Sequence, residues 1–519
     1  MTKLSRTLIL GCSILALTAC GPDEIVSPGT GGNITINNPP APAPTPTPTP
    51  TSTLVTAAAG CPTISNPVGL ADEGTITGPE GTWRVCAMPA RFTASSTLSR
   101  IPGLLYRMAG RVDVGTDAGA ASTSTGVTLT VEPGVIVYAS GASFLHVNRG
   151  QRINATGTAA RPIVFTSRDN VLGLNTDNSS GQWGGIVLSG RAPITDCIAP
   201  AATPGTTACE RQVEGAVDPA LFGGATSTDN SGTLRYVQIR YSGFILSGNA
   251  ELQSLTTGGA GSGTTIDHIQ SVNSSDDGIE LFGGSVNIKN LIVAGAEDDG
   301  LDTDVGVKAN MQFVLVAQRA GVGDSAIEHD SSNGLEAQTP RSNVKLANAT
   351  LIQRNTLDQV VRIRGGGDYT IANSLIIDQS TGTACLRVDD AQTIAAANAG
   401  LDDVGPPVFN SVALQCSIKT RNGSNGGATA SAAEAYLTGG TGNNVAYTNT
   451  LTASFLAGAN ETGFSPVFNT TLLGSFFATT TYIGALASSD NWTTGWTCDS
   501  AAASFGSNTG SCLRIPVFS

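Results

Sequence analysis

SSDDGIELFGG (Ser274–Gly284) returns as EDDGLDTDVG (Glu297–Gly306) and, more loosely, as GDSAIEHD (Gly323–Asp330). Anchored on one apolar residue per copy, the series continues through Ile279, Leu301, Ile327, Val361 and Leu386, in steps of 22, 26, 34 and 25 residues. Around it run short alternating segments such as WGGIVLSG, LRYVQIRYSG, VNIKNLIVAGA, NMQFVLVAQ and YTIANSLIID. Period-two segments of four to eight residues, bounded by Gly, Pro, Asn and Ser, read as strands. A repeat of this length with several strands and no helical pattern is what a parallel β-helix requires, with neighbouring coils pairing about 4.8 Å apart. Uneven steps place loops at the corners. Leucine-rich repeats have a similar period, but the LxxLxLxxN pattern is absent. A β-sandwich is the competing all-β arrangement.

Strand alternation then fixes where the acids go. If Ile279, Leu301 and Ile327 point into the coil, Glu280, Asp302 and Glu328 point out and form a column. Arg362 and Arg387 occupy the matching positions on the next coils, so the column changes sign at Arg362. An Arg362–Glu328 pair relieves one end and leaves the preceding DDG turns without a cation. Hard oxygen ligands clustered this way suit Ca²⁺, which accepts six to eight oxygens. The expected ligand set is Asp276, Asp277, Glu280, Asp298, Asp299, Asp302, Asp304, Asp324 and Glu328. The competing reading is a solvated acidic edge that blocks stacking against other sheets.

The N-terminal end has a different character. Lys3 and Arg6 precede an apolar run from Leu8 to Leu17, and LTAC closes on Cys20. That is a secretory signal over residues 1–19, and LTAC resembles the lipobox of bacterial lipoproteins. On that resemblance Cys20 is the lipid-attachment residue, carrying acyl chains such as palmitate that anchor the protein in a membrane. Gly21 follows, rather than the aspartate that would resemble an inner-membrane retention signal, which points to the outer membrane. PPAPAPTPTPTP (Pro39–Pro50) favours polyproline II and spans about 37 Å at roughly 3.1 Å per residue. The expected organisation is a signal over 1–19, a lipidated Pro/Thr-rich linker over 20–60, and a β-helix with a C-terminal cap over 61–519.

Only 13% of residues are charged and the formal charge is −13. Nucleic acid is excluded as a partner because phosphate binding needs a basic stripe. Of ten cysteines, Cys12 leaves with the signal and Cys20 is lipidated. The remaining eight, in an oxidising compartment, are spaced for four local disulfides: Cys61–Cys86, Cys197–Cys209, Cys385–Cys416 and Cys498–Cys512.

The blocks LTVEPGVIV, GTAARPIVFTS, GQWGGIVLSGRAPI, GTLRYVQIRYSG, the DDG region and YIGALASSDNWTTGWT resemble a family of bacterial surface lipoproteins that includes a leptospiral outer-membrane lipoprotein. The resemblance spans most of 127–497. It implies a right-handed β-helix at the cell surface and no established activity.

Three function classes remain. SSDDGIEL loosely resembles the paired-aspartate strand of polygalacturonases, but the Gly-His-Gly and Arg-x-Lys blocks of that family are absent. Paired carboxylates could still act as a glycoside hydrolase or lyase site at the separations glycosidases use, roughly 5–5.5 or 6.5–9.5 Å. His146 reads as a surface or corner residue, and His268 and His329 as packing residues. No GxSxG, Walker loop or HExxH occurs. A binding module for a glycan or an outer-membrane receptor, or a structural surface protein, fits better, with no catalytic residue assigned.

Overall fold

The structure, a computed structural model, describes residues 54–518 apart from 125, 217, 248, 249, 332, 333 and 507. The signal, Cys20 and the Pro-rich segment lie outside the described residues. The body is a right-handed parallel β-helix, the crossover sense that parallel strands adopt. One 11-stranded sheet runs the length of the coil stack. A 15-stranded sheet covers the other sides, and its only antiparallel pair is the opening hairpin Ala71–Gly78 with Gly81–Ala87. We call them the narrow and the wide sheet.

The apolar anchors fall in register. Leu255, Ile279, Leu301, Ile327, Val361 and Leu386 pair from coil to coil along the narrow sheet, and all six are fully buried. Each inward side chain stacks on its counterpart one coil away, so burial is continuous and no layer needs a partner outside the stack.

The wide sheet bends once per coil. Tyr236, His268, Asn290, Phe313, Asn348, Asn373 and Ser411 all have φ between +49° and +64°, and the ladder places them on successive strands at equivalent positions. A left-handed residue turns the strand sharply within a single position. Asn tolerates that region best among non-glycine residues and occupies three of the seven sites. His268 is thus a corner residue, packed between Tyr236, Trp492 and Trp496.

The last coil strand is Ile418–Arg421, and the helix Ala430–Gly439, capped by Thr429, packs against the final strands. The expected cap is there, but it is not the end of the fold. Residues 441–518 turn back and cover the outer face of the wide sheet. Phe455, Ile483, Leu486 and Trp496 pack on Ile292, Leu315, Ile352, Leu375 and Ile377. Further along, Ile515 packs with Trp83, Val85 and Ile136 of the first coils.

Side-chain amides dock this strap. Gln312 donates to the Ala478 carbonyl at 2.7 Å and accepts from the Ala478 amide at 2.8 Å. Gln270 does the same with Cys498, and Asn373 with Phe468. Irregular backbone thereby obtains the partners it would otherwise take from a ladder.

The eight cysteines form the four sequence-local disulfides expected from their spacing. The folded body starts before Cys61: the Val55 amide donates to Glu80 O and the Ala58 amide to Gly103 O. Residues 54–60, read from the sequence as the end of the linker, thus make backbone contacts with the first coils.

Candidate metal centre on the narrow sheet

One outward column follows the anchors along all eleven strands of the narrow sheet. Its residues are Arg91, Asp113, His146, Val187, Thr256, Glu280, Asp302, Glu328, Arg362, Arg387 and Arg421. Glu280, Asp302 and Glu328 do form a column, and the sign changes at Arg362. Sequence reading missed the upstream half and Arg421, because loops of unequal length separate those strands in the chain.

The acids are unevenly covered: Asp298 is exposed, and Asp276, Asp302 and Asp324 are half-buried. Glu280 and Glu328 are each only 8% exposed and Asp277 and Asp299 only 5%. Part of the cover is the disulfide-tied loop Cys197–Cys209 with its flanks, where Ile194, Cys209 and Phe222 pack with Phe282 and Val305.

The DDG turns carry two further columns. The second aspartates are structural as well as acidic: Asp277 Oδ1 accepts from the Asp299 amide at 2.9 Å, and Asp299 Oδ1 from the Ser325 amide at 2.6 Å. Each ties its coil to the next and keeps its other oxygen for a second partner. The following glycines are demanded by close approach. A Cβ on Gly278 would lie 2.2 Å from Val293 Cγ1, and one on Gly300 2.3 Å from Val316 Cγ1.

Three groups of carboxylates can each bring one oxygen apiece within 4.8 Å of one another: Asp276, Asp277 and Asp298; Asp277, Glu280 and Asp302; Asp298, Asp299 and Asp324. Two residues of the expected ligand set fall outside these groups. Glu328 is held by Arg364 at 2.9 Å and Arg362 at 3.3 Å. Asp304 faces the charges of Arg211 and Arg364. The loop acids Glu214 and Glu251 add to the field at Asp276, and no local signal in the sequence connects them to the DDG turns.

Among the described residues, no Lys, Arg or His forms an ion pair with Asp276, Asp277, Glu280, Asp298, Asp299 or Asp302; the nearest pairs stop at Glu297, Glu328 and Asp330. Burial, then Asp298 and Glu251, push Asp276 up to about 7. Burial and neighbouring carboxylates hold Asp277, Glu280, Asp299 and Asp302 well above the usual carboxylate range. Burial, then Asp298, push Asp324 up to about 6. Without a cation, Asp277, Glu280, Asp299 and Asp302 hold their protons well above the pH at which free carboxyls lose them.

His146 is corrected from surface residue to buried centre of a relay. It is fully buried, its Nε2 lies 2.9 Å from Ser189 Oγ and its Nδ1 3.0 Å from Asp113 Oδ1. These are the contacts of a serine–histidine–aspartate triad. Ser189 is itself fully buried, so no substrate reaches the hydroxyl, and the relay braces adjacent coils. Burial raises Asp113, but His146 and Arg111 outweigh it and hold the acid at about 2. His329 faces the interior, and burial together with Arg341 lowers it to about 3.

A family model for a pectate-lyase like beta helix domain matches residues 116–497, which span the column from His146 to Arg421 and most of the strap. No curated protein and no solved structure matches the chain.

Proposed function

Because the chain belongs to the pectate-lyase-like β-helix domain family, we propose that it is a calcium-holding binding module for anionic glycan chains, carried at the outer membrane by lipid on Cys20. The observation that carries this reading is the set of six clustered carboxylates, three of them buried, that pair with no Lys, Arg or His among the described residues. The donor set fits Ca²⁺: every ligand is a hard oxygen, and the three groups overlap through Asp277 and Asp298. Glu280 and Asp302 supply the column side of the site, and the DDG aspartates supply its corner. A cation held by these carboxylates would neutralise them and could take further oxygens from a ligand. Arg362, Arg387 and Arg421 continue the column, paired with Asp389 and Asp358, and line a cavity of about 570 Å³ with Asp324 and Asp358. The lipobox-like LTAC and the Pro-rich segment support the anchored, surface-displayed setting.

Calorimetric titration of Ca²⁺ into chelator-treated protein tests the module. At least one saturable site is expected, with Kd on the order of 1 mM or tighter. Glu280→Gln combined with Asp302→Asn should weaken that site at least 10-fold while circular dichroism stays unchanged. A titration without heat sinks the reading.

A second reading has its own support, since the matching family is described as pectate-lyase like and burial with neighbouring carboxylates pushes Asp276 up to about 7 and Asp324 up to about 6. On it, the same groove cleaves the polysaccharide, with one of these acids donating a proton to the leaving oxygen. Incubating polygalacturonate with the protein and Ca²⁺, while following unsaturated products and reducing ends, separates the two. Retention of polymer with neither product stays with binding alone.

A further inference from the structure

At the end of the acidic column away from the arginines lies a cavity of about 260 Å³, lined by Asp196, Cys197, Ile198, Arg211, Gln212, Glu214, Phe222 and Phe282. We propose that it is a subsite of the same groove that receives an O-acyl group, such as acetyl, borne by one sugar of the bound chain. The inference rests on the anionic-glycan reading and deepens it.

Position comes first. Phe282 lies two residues beyond Glu280 on one strand, so both side chains leave the same face, and Asp304 is its partner on the next coil. The cavity therefore opens beside the carboxylates rather than on a separate surface. Its size admits one monosaccharide with a substituent and no more.

Its chemistry is the second point. Phe222 and Phe282 form the floor with ring centroids 6.0 Å apart. The Cys197–Cys209 disulfide and the exposed side chain of Ile198 form one wall. Of the four polar lining residues, Arg211 and Asp196 pair with each other within the lining, Gln212 donates to Ala216 O at 2.5 Å, and Glu214 is exposed. A sugar hydroxyl placed on this floor would lose water and gain little, whereas a methyl group would be covered by rings and sulfur. An apolar floor and wall beside a column of carboxylates suit a ligand that is both acidic and acylated. The disulfide holds the wall in place, which turns a surface loop into a selective one.

The test uses O-acetylated polygalacturonate and the same polymer after alkaline deacetylation, bound to the full protein in Ca²⁺. We expect the acetylated polymer to bind about 10-fold more tightly, the discrimination a hydrophobic pocket exerts per methyl-sized group. Ile198→Ser, at an exposed site that folding does not need, should remove most of that preference and leave the Ca²⁺ titration unchanged. Phe282→Leu should do the same from the floor. Equal binding of the two polymers overturns the subsite while the binding module stands. Retention of neither polymer, with or without Ca²⁺, overturns both.

Discussion

Freed of divalent cations, the protein will lose thermal stability between pH 6.5 and pH 8.5, by roughly 5 °C or more in Tm, and saturating Ca²⁺ will abolish that loss. Asp276 and Asp330 stand at about 7 in the folded protein, and Asp277, Glu280, Asp299 and Asp302 stand well above the ordinary 3.8–4.5. A group whose folded pKa is raised binds more protons in the native than in the unfolded state, so its stabilisation is complete at low pH and disappears as pH rises through the folded value. His146 and His329 act in the opposite sense, because the unfolded imidazole takes a proton that the buried one refuses. That opposition ends above about pH 6.5, leaving the carboxylates alone in the chosen window. A cation that displaces the protons removes the pH term and adds its own binding energy. A chelated sample whose Tm rises or stays flat from pH 6.5 to 8.5 would contradict the electrostatics of the site.

A chain ended at Gly440 should be insoluble or associate on release, although every coil strand is still present. The strap covers Ile292, Leu315, Ile352, Leu375 and Ile377 on the outer face of the wide sheet, and these side chains sit on successive strands. Their exposure makes a contiguous apolar patch of the kind that soluble monomers avoid. Gln238, Gln270, Gln312, Asn348 and Asn373 would also lose the backbone partners that the strap provides. Size-exclusion chromatography after mild extraction decides the matter. A soluble monomer with the circular dichroism of the full chain would show the strap to be dispensable.

Much of the coil was legible because side-chain alternation is a local rule. Once Ile279, Leu301 and Ile327 are set inward, the neighbours Glu280, Asp302 and Glu328, and the change of sign at Arg362, follow without knowledge of the loops. The disulfides were legible for a related reason, since coils that touch only their neighbours make short closures the accessible ones. What escaped depends on contacts between distant segments. His146 sits in an alternating strand that looks half exposed, and its burial comes from Arg111, Ser189 and the loops around them. Glu328 reads as a ligand from the column alone, and Arg364, two residues past Arg362, is turned onto it. The strap has no period at all, because its partners are amide side chains and its backbone is irregular.

The unbroken column from Arg91 to Arg421 also makes the two ligands of the proposed function thermodynamically dependent on each other. Empty of cations, its middle third holds protons and offers a polyanion no charge to bind, and it repels the chain only as rising pH removes those protons. A cation held by Glu280 and Asp302 would remove that repulsion. Whatever factor calcium contributes to the affinity for the polymer, the polymer must return to the affinity for calcium. Weak calcium binding by the isolated protein is therefore compatible with tight binding on a surface coated with acidic polymer. The same molecule would then report, by its occupancy, the product of two concentrations rather than either one.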